Sequence, residues 1–95
     1  MTGRERIVKL EAEIKVKHPD WDIRVTDFSN KTVQGDFLEL VISDCGVPVC
    51  GVAWGIGTYG YQSDLLEFYG NKTKGFIKED EALLLCEGEM ECVRG

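Results

Sequence analysis

The chain has one histidine, two prolines, and no Lys or Arg anywhere between Thr32 and Asn71. Each shortage excludes something. His18 could act as a catalytic base only with a nucleophile beside it, Cys45 or Cys50, and the sequence around them carries no signature of such a pair. Set before Pro19 at the end of a helical pattern, it reads instead as a surface residue favourable to a helix C-terminus. No apolar run approaches the about 20 residues that cross a bilayer, and Arg4, Glu5 and Arg6 leave no room for a signal-peptide core. The sequence therefore predicts a cytoplasmic chain with no membrane partner. The tight C-x2-C spacing of zinc ribbons is missing too, since Cys45, Cys50, Cys86 and Cys92 form C-x4-C and C-x5-C. In a reducing compartment four such cysteines are expected to be small buried hydrophobes rather than disulfides or zinc ligands.

What the middle of the chain lacks in positive charge it has in negative. Residues 1–31 carry seven Lys/Arg against six Asp/Glu, whereas residues 32–95 carry four against eleven, within a total of -6. Asp36, Glu39, Asp44, Asp64 and Glu67 all fall in the stretch without a cation. Nucleic acid binding requires the opposite sign, because phosphate neutralisation supplies most of the affinity. An acidic face suits a basic protein partner, and it also serves simply to keep a small protein soluble. Ninety-five residues, 43% of them apolar, suffice for one domain, 1–95, around one core. Such a chain has little volume for a deep substrate cavity, which points away from an enzyme.

Periodicity gives an α+β expectation. Ile7, Leu10 and Ile14 recur at helical spacing over residues 2–17, with Thr2 and Glu5 as a capping box and His18-Pro19-Asp20 as the stop. Residues 21–28 alternate, Trp21, Ile23 and Val25 against Asp22, Arg24 and Thr26, and Ser29-Asn30-Lys31 breaks the pattern. Phe37 to Ser43 and Val47 to Trp54 read as two strands joined at Asp44-Cys45-Gly46, with Cys50, Val52 and Trp54 on one face. Pro48 belongs at a strand start or edge, and Gly51 marks a bulge or a close backbone approach. Leu65, Leu66, Phe68 and Tyr69 suggest a short helix opened by Gln62 or Ser63 and closed by Gly70. A longer helix over residues 79–92 follows, with Glu79, Asp80 and Glu81 in its first turn and Gly88 as a weak point at which it could end early. The expected architecture is an N-terminal helix on a small antiparallel sheet of about three strands, then one short and one longer C-terminal helix.

Gly55-Ile56-Gly57-Thr58-Tyr59-Gly60 satisfies GxGxxG, with Glu79 or Glu81 near the distance of the acidic residue in a dinucleotide site. The context is wrong for that chemistry: the preceding strand pairs antiparallel through a tight turn, and the next helix begins after the glycines. No cofactor is expected. The glycines instead let the chain leave the sheet through positive φ, as a hinge towards the C-terminal helices. Tyr59 and Tyr61 then either stand out beside Asp64 and Glu67 as contact residues or cover the edge of the core.

The order Tyr59-Gly60, Leu65-Leu66-Glu67, Gly70, then Gly75-Phe76-Ile77 ahead of an acidic helix resembles the C-terminal half of small proteins carried by prophages and mobile elements of Gram-positive bacteria. Lys78 stands where those proteins tend to have a capping threonine. The resemblance brings no active site, but it implies a setting in which small acidic proteins, anti-CRISPR proteins among them, cover a basic nucleic-acid-binding surface. The implied function is a phage-type protein that binds and inhibits a host protein, possessing no enzymatic activity of its own. Its contact residues would be Asp36, Glu39, Asp44, Tyr59, Tyr61, Asp64, Glu67, Glu79, Asp80 and Glu81. A structural component of a phage particle is the alternative and predicts a stable homo-oligomer; a small cofactor- or zinc-binding domain is a third.

Overall fold

The first helix begins where its cap was read. In the computed structural model, which describes residues 1–29 and 35–94, α1 spans Gly3–Lys17. The Glu5 N–H donates to Thr2 Oγ1 at 3.1 Å, and the Thr2 N–H donates to Glu5 Oε1 at 2.9 Å, so two orphan donors are satisfied reciprocally. Gly3 is set by packing. The Trp54 indole lies against its Cα, and a Cβ there would sit 2.1 Å from the ring. At the other end the His18 N–H closes the helix on the Ile14 carbonyl, and the imidazole stacks on Trp21 with centroids 3.8 Å apart.

Five strands follow as an antiparallel meander: β1 (Asp22–Asp27), β2 (Phe37–Asp44), β3 (Val47–Gly55), β4 (Leu66–Tyr69) and β5 (Lys74–Ile77), in that order across the sheet. Helix α2, Glu79–Arg94, ends the described chain. Cys45 and Gly46 both have positive φ, 52° and 81°, which makes the β2–β3 link a two-residue hairpin turn matched to strand twist. Pro48 lies beyond the part of β3 that pairs with β4, so its missing N–H leaves that ladder intact. The bulge falls at Val49, the residue skipped between the Ile42–Cys50 and Ser43–Pro48 pairs, and Gly51 is the close approach: a Cβ on it would stand 3.1 Å from the Leu40 carbonyl.

Both helices pack on one face of the sheet, against β2, β3 and β4. Ile7, Leu10 and Ile14 from α1 and Ala82, Cys86 and Met90 from α2 close over Leu40, Val52, Leu66 and Phe68. Among the described residues no helix is long and apolar enough to cross a membrane.

The α+β class holds, but the second half differs from the expectation. Among the described residues the sheet has five strands rather than three, and one C-terminal helix follows it rather than two. Gly60 and Asp64, at φ 104° and 55°, flank a single 3-10 turn, Tyr61–Ser63, and left-handed residues at both ends stop a helix from propagating. Leu66 and Phe68 then point inward with strand alternation, Phe68 opposite Val52. The glycine segment is accordingly a link between neighbouring strands, not a hinge to the helices. Gly88 does not end α2; no neighbour crowds it and the helix runs through. Of the break read at residues 29–31, Asn30 and Lys31 lie outside the described residues.

A buried ion pair ties the two helices together. Glu79, with its side chain 7% exposed, takes Arg6 Nη1 at 2.7 Å on one oxygen and Lys9 Nζ at 3.1 Å on the other. Burial pushes the Glu79 carboxyl up, but its own backbone N–H, Arg6 and Lys9 together outweigh this and bring it from 4.5 down to about 2. A group depressed on folding contributes its stability fully above its unfolded value and loses it as pH falls through the folded one. Glu79→Gln should therefore cost about 2 kcal/mol at neutral pH, by stranding Arg6. In urea denaturation the gap from the native chain should close between about pH 4.5 and pH 2; a gap independent of pH would show that charge is not what Glu79 contributes.

Candidate functional site

Side-chain size on β3 divides the sheet. Cys50, Val52 and Trp54 point towards the helices, while Gly51, Ala53 and Gly55 alternate onto the outer face, which no helix covers. Register sets one outer row as Thr26, Glu39, Ala53 and Glu67, and the next as Arg24, Val41, Gly51 and Tyr69. Because the middle strand offers so little bulk, its neighbours fold over it. Glu67 is only 3% exposed although it lies on the open face. Its Oε1 accepts the Tyr69 hydroxyl at 2.5 Å and the Tyr59 N–H at 3.1 Å. Burial first, then the bond to Glu67 and the charges of Glu67 and Glu39, push the Tyr69 phenol well above its ordinary value.

Glu67 thereby fixes the loop above it. Thr58 Oγ1 accepts the Gly55 N–H at 3.1 Å and donates to the Gly55 carbonyl at 2.7 Å, closing the start of the turn. Gly57 and Gly60 take φ of 90° and 104°, and between them Tyr59 projects, 66% exposed. Phe76 stands beside it, its N–H donating to the Tyr59 carbonyl at 3.4 Å and the ring centroids 6.5 Å apart. Phe76 is 62% exposed and holds φ of 56°, a conformation that bulky residues rarely adopt. A recess of about 300 Å³ opens here, between the segment Gly57–Ser63 and Phe76. Tyr61 takes the other role weighed for it: half-buried, it packs on Trp54 at 5.3 Å and its carbonyl receives the indole N–H.

The acids read from the sequence do not gather into one patch. Asp36 pairs with Arg4 at 3.2 Å, Asp44 with Arg94 at 3.2 Å, and Glu81 with Lys74. Asp64 accepts the Gly3 N–H at 3.0 Å, beside Asp36 and Tyr61 at the start of α1. Glu79 is buried under α1. Asp80 is exposed, and its Oδ1 accepts the Glu81 N–H. The open face brings together Tyr59, Glu67 and Glu39, joined by Tyr69, Val41 and Phe76, which the sequence reading did not single out. The alternation Gly51, Ala53, Gly55 against Cys50, Val52, Trp54 was the signal that could have located Val41 and Tyr69, the residues opposite Gly51.

GxGxxG leads from β3 to antiparallel β4 through the 3-10 turn capped by Gly60, rather than from a parallel strand into an α-helix. Cys50 and Cys86 are buried free thiols, whereas Cys45 and Cys92 are exposed, so the expectation of four buried cysteines holds for two. The bond with Cys50, and then burial, push the Cys86 thiol up. Among the described residues no group of three or more His, Cys, Asp or Glu is placed to hold a metal ion. Comparison with protein-family models, with curated proteins and with solved structures finds no match to this chain.

Phe76 keeps its conformation at a cost to the fold. Phe76→Gly should raise stability by up to about 1 kcal/mol by removing left-handed strain at an exposed site, read as a higher urea midpoint at unchanged slope. A lower midpoint would make the ring a packing element instead.

Proposed function

We propose that the protein binds and inhibits a host protein by covering a basic surface, with Tyr59 and Phe76 as its apolar anchors. A single observation carries the reading: two exposed aromatic rings side by side, one of them on a strained backbone, at a place where the core needs neither. Strain of this kind persists where the surrounding structure enforces it, and it clusters at functional sites. Aromatic residues dominate contact energies, and a net charge of -6 steers the chain towards basic partners. The resemblance to prophage-borne proteins supports a nucleic-acid-binding enzyme, such as a CRISPR effector, as the partner class. Internal pairing of Asp36, Asp44, Glu79 and Glu81 leaves shape and the aromatic pair a larger share of the contact than phosphate mimicry alone would need.

A second reading, assembly into a phage particle, draws support from β1, an edge strand with Ile23 and Val25 only half-buried. Light scattering separates the two, since assembly requires a stable homo-oligomer. Affinity capture from host lysate tests the first. The native chain should retain a nucleic-acid-binding protein, lose it as salt rises, and fail to retain it as Tyr59→Ala/Phe76→Ala. Retention indifferent to salt, or undiminished in the double variant, would sink the inhibitor reading.

A further inference from the structure

Beside the aromatic pair, the open face carries a groove of about 290 Å³ along β3, lined by Glu39, Val41, Pro48, Val49, Gly51 and Tyr69. Its chemistry is uneven in an informative way. The floor is backbone at Gly51, one wall is the exposed Tyr69 ring, and Val41 and Val49 make the rest apolar. One carboxylate stands over it. Glu39 makes no hydrogen bond or ion pair among the described residues, and Arg24, on the adjacent strand opposite Val41, is not paired with it. Glu67, two strands across at roughly 10 Å, is bonded only by neutral donors, the Tyr59 amide and the Tyr69 hydroxyl. Two carboxylates thus flank the tyrosine, and among the described residues no cation is bound to either.

We propose that this groove receives an arginine side chain of a protein partner. The aliphatic stem lies on Val41 and Val49, the flat guanidinium stacks on the Tyr69 ring, and its N–H fork meets the Glu39 carboxylate. Lysine would bring a point charge without the stacking face or the fork, and a neutral isostere would bring no attraction to Glu39. The proposal rests on the reading of the open face as a protein-contact surface and names the chemistry that the face selects.

The test is an amide-resolved NMR titration of the full chain with acetyl-Gly-Arg-Gly-amide, and with the same peptide carrying citrulline in place of arginine. The arginine peptide should move the amide signals of Val41, Gly51 and Gly70 and leave those of α2 in place; the citrulline peptide should move none. Glu39→Gln should weaken the arginine peptide about fivefold, the effect of one exposed ion pair. Val41→Lys, which sets an internal ammonium beside Glu39, should block the groove, with signal dispersion confirming that each variant is folded. Equal shifts from citrulline, shifts confined to the acids of α2, or an unaltered Glu39→Gln would overturn the proposal. Failed capture from lysate with an intact titration removes the host-inhibitor reading alone. A failed titration with intact capture removes this groove alone.

Discussion

The division of β3 into a large-residue face and a small-residue face is the constraint on which the rest of the molecule depends. Its inward side chains, Cys50, Val52 and Trp54, give the two helices their platform. Its outward ones, Gly51, Ala53 and Gly55, give the opposite face no bulk of its own. Glu67 can be 3% exposed on an uncovered sheet only because Ala53 beside it leaves room for the loop and Tyr69 to close over it. The carboxylate then holds the Tyr59 amide, and Tyr59 in turn lies across Gly75, where a Cβ would meet its own at 2.4 Å. From a strand composition to an exposed aromatic pair there are three contacts.

Charge in this protein is largely spent inside it. The sequence shows a strongly acidic second half, but Arg4, Arg6, Lys9 and Arg94 reach across the fold to Asp36, Glu79 and Asp44. The basic residues of the first helix serve as counterions for the acidic remainder. Among the described residues, the candidate contacts left without a cation are Glu39 and Glu67 on the open face, Asp64 beside the start of α1 and Asp80 at the start of α2. An acidic composition has thus become a few placed carboxylates, one of them at the mouth of a groove.

The N-terminal helix, its cap and the first hairpin were legible because each combines a long period with specific end chemistry: Thr2 with Glu5, and Cys45-Gly46 between two alternating runs. β4 and β5 were not. Each has four residues, too few to separate a period of 2 from one of 3.6, and β5 buries only Ile77. Whether Leu66 to Tyr69 becomes helix or strand is decided by pairing with β3, which no local window contains. The candidate site was half legible: Tyr59 was named as a contact candidate with its exposure left open, whereas the partners of the acids lie 32, 50 and 73 residues away for Asp36, Asp44 and Glu79. Phe76 was hidden because nothing in its neighbourhood announces a positive φ.

The meander also shapes how the chain assembles. Every described strand pairs with its neighbour in sequence, so the sheet can zip hairpin by hairpin across links of two to ten residues. The Arg6–Glu79 contact, 73 residues apart, is the opposite case: it joins the two ends of the chain and comes within reach only once the sheet between them exists. A chain wired this way presents its open face, the one with Tyr59 and the groove, on a sheet built from local pairings whose other face the two helices cover.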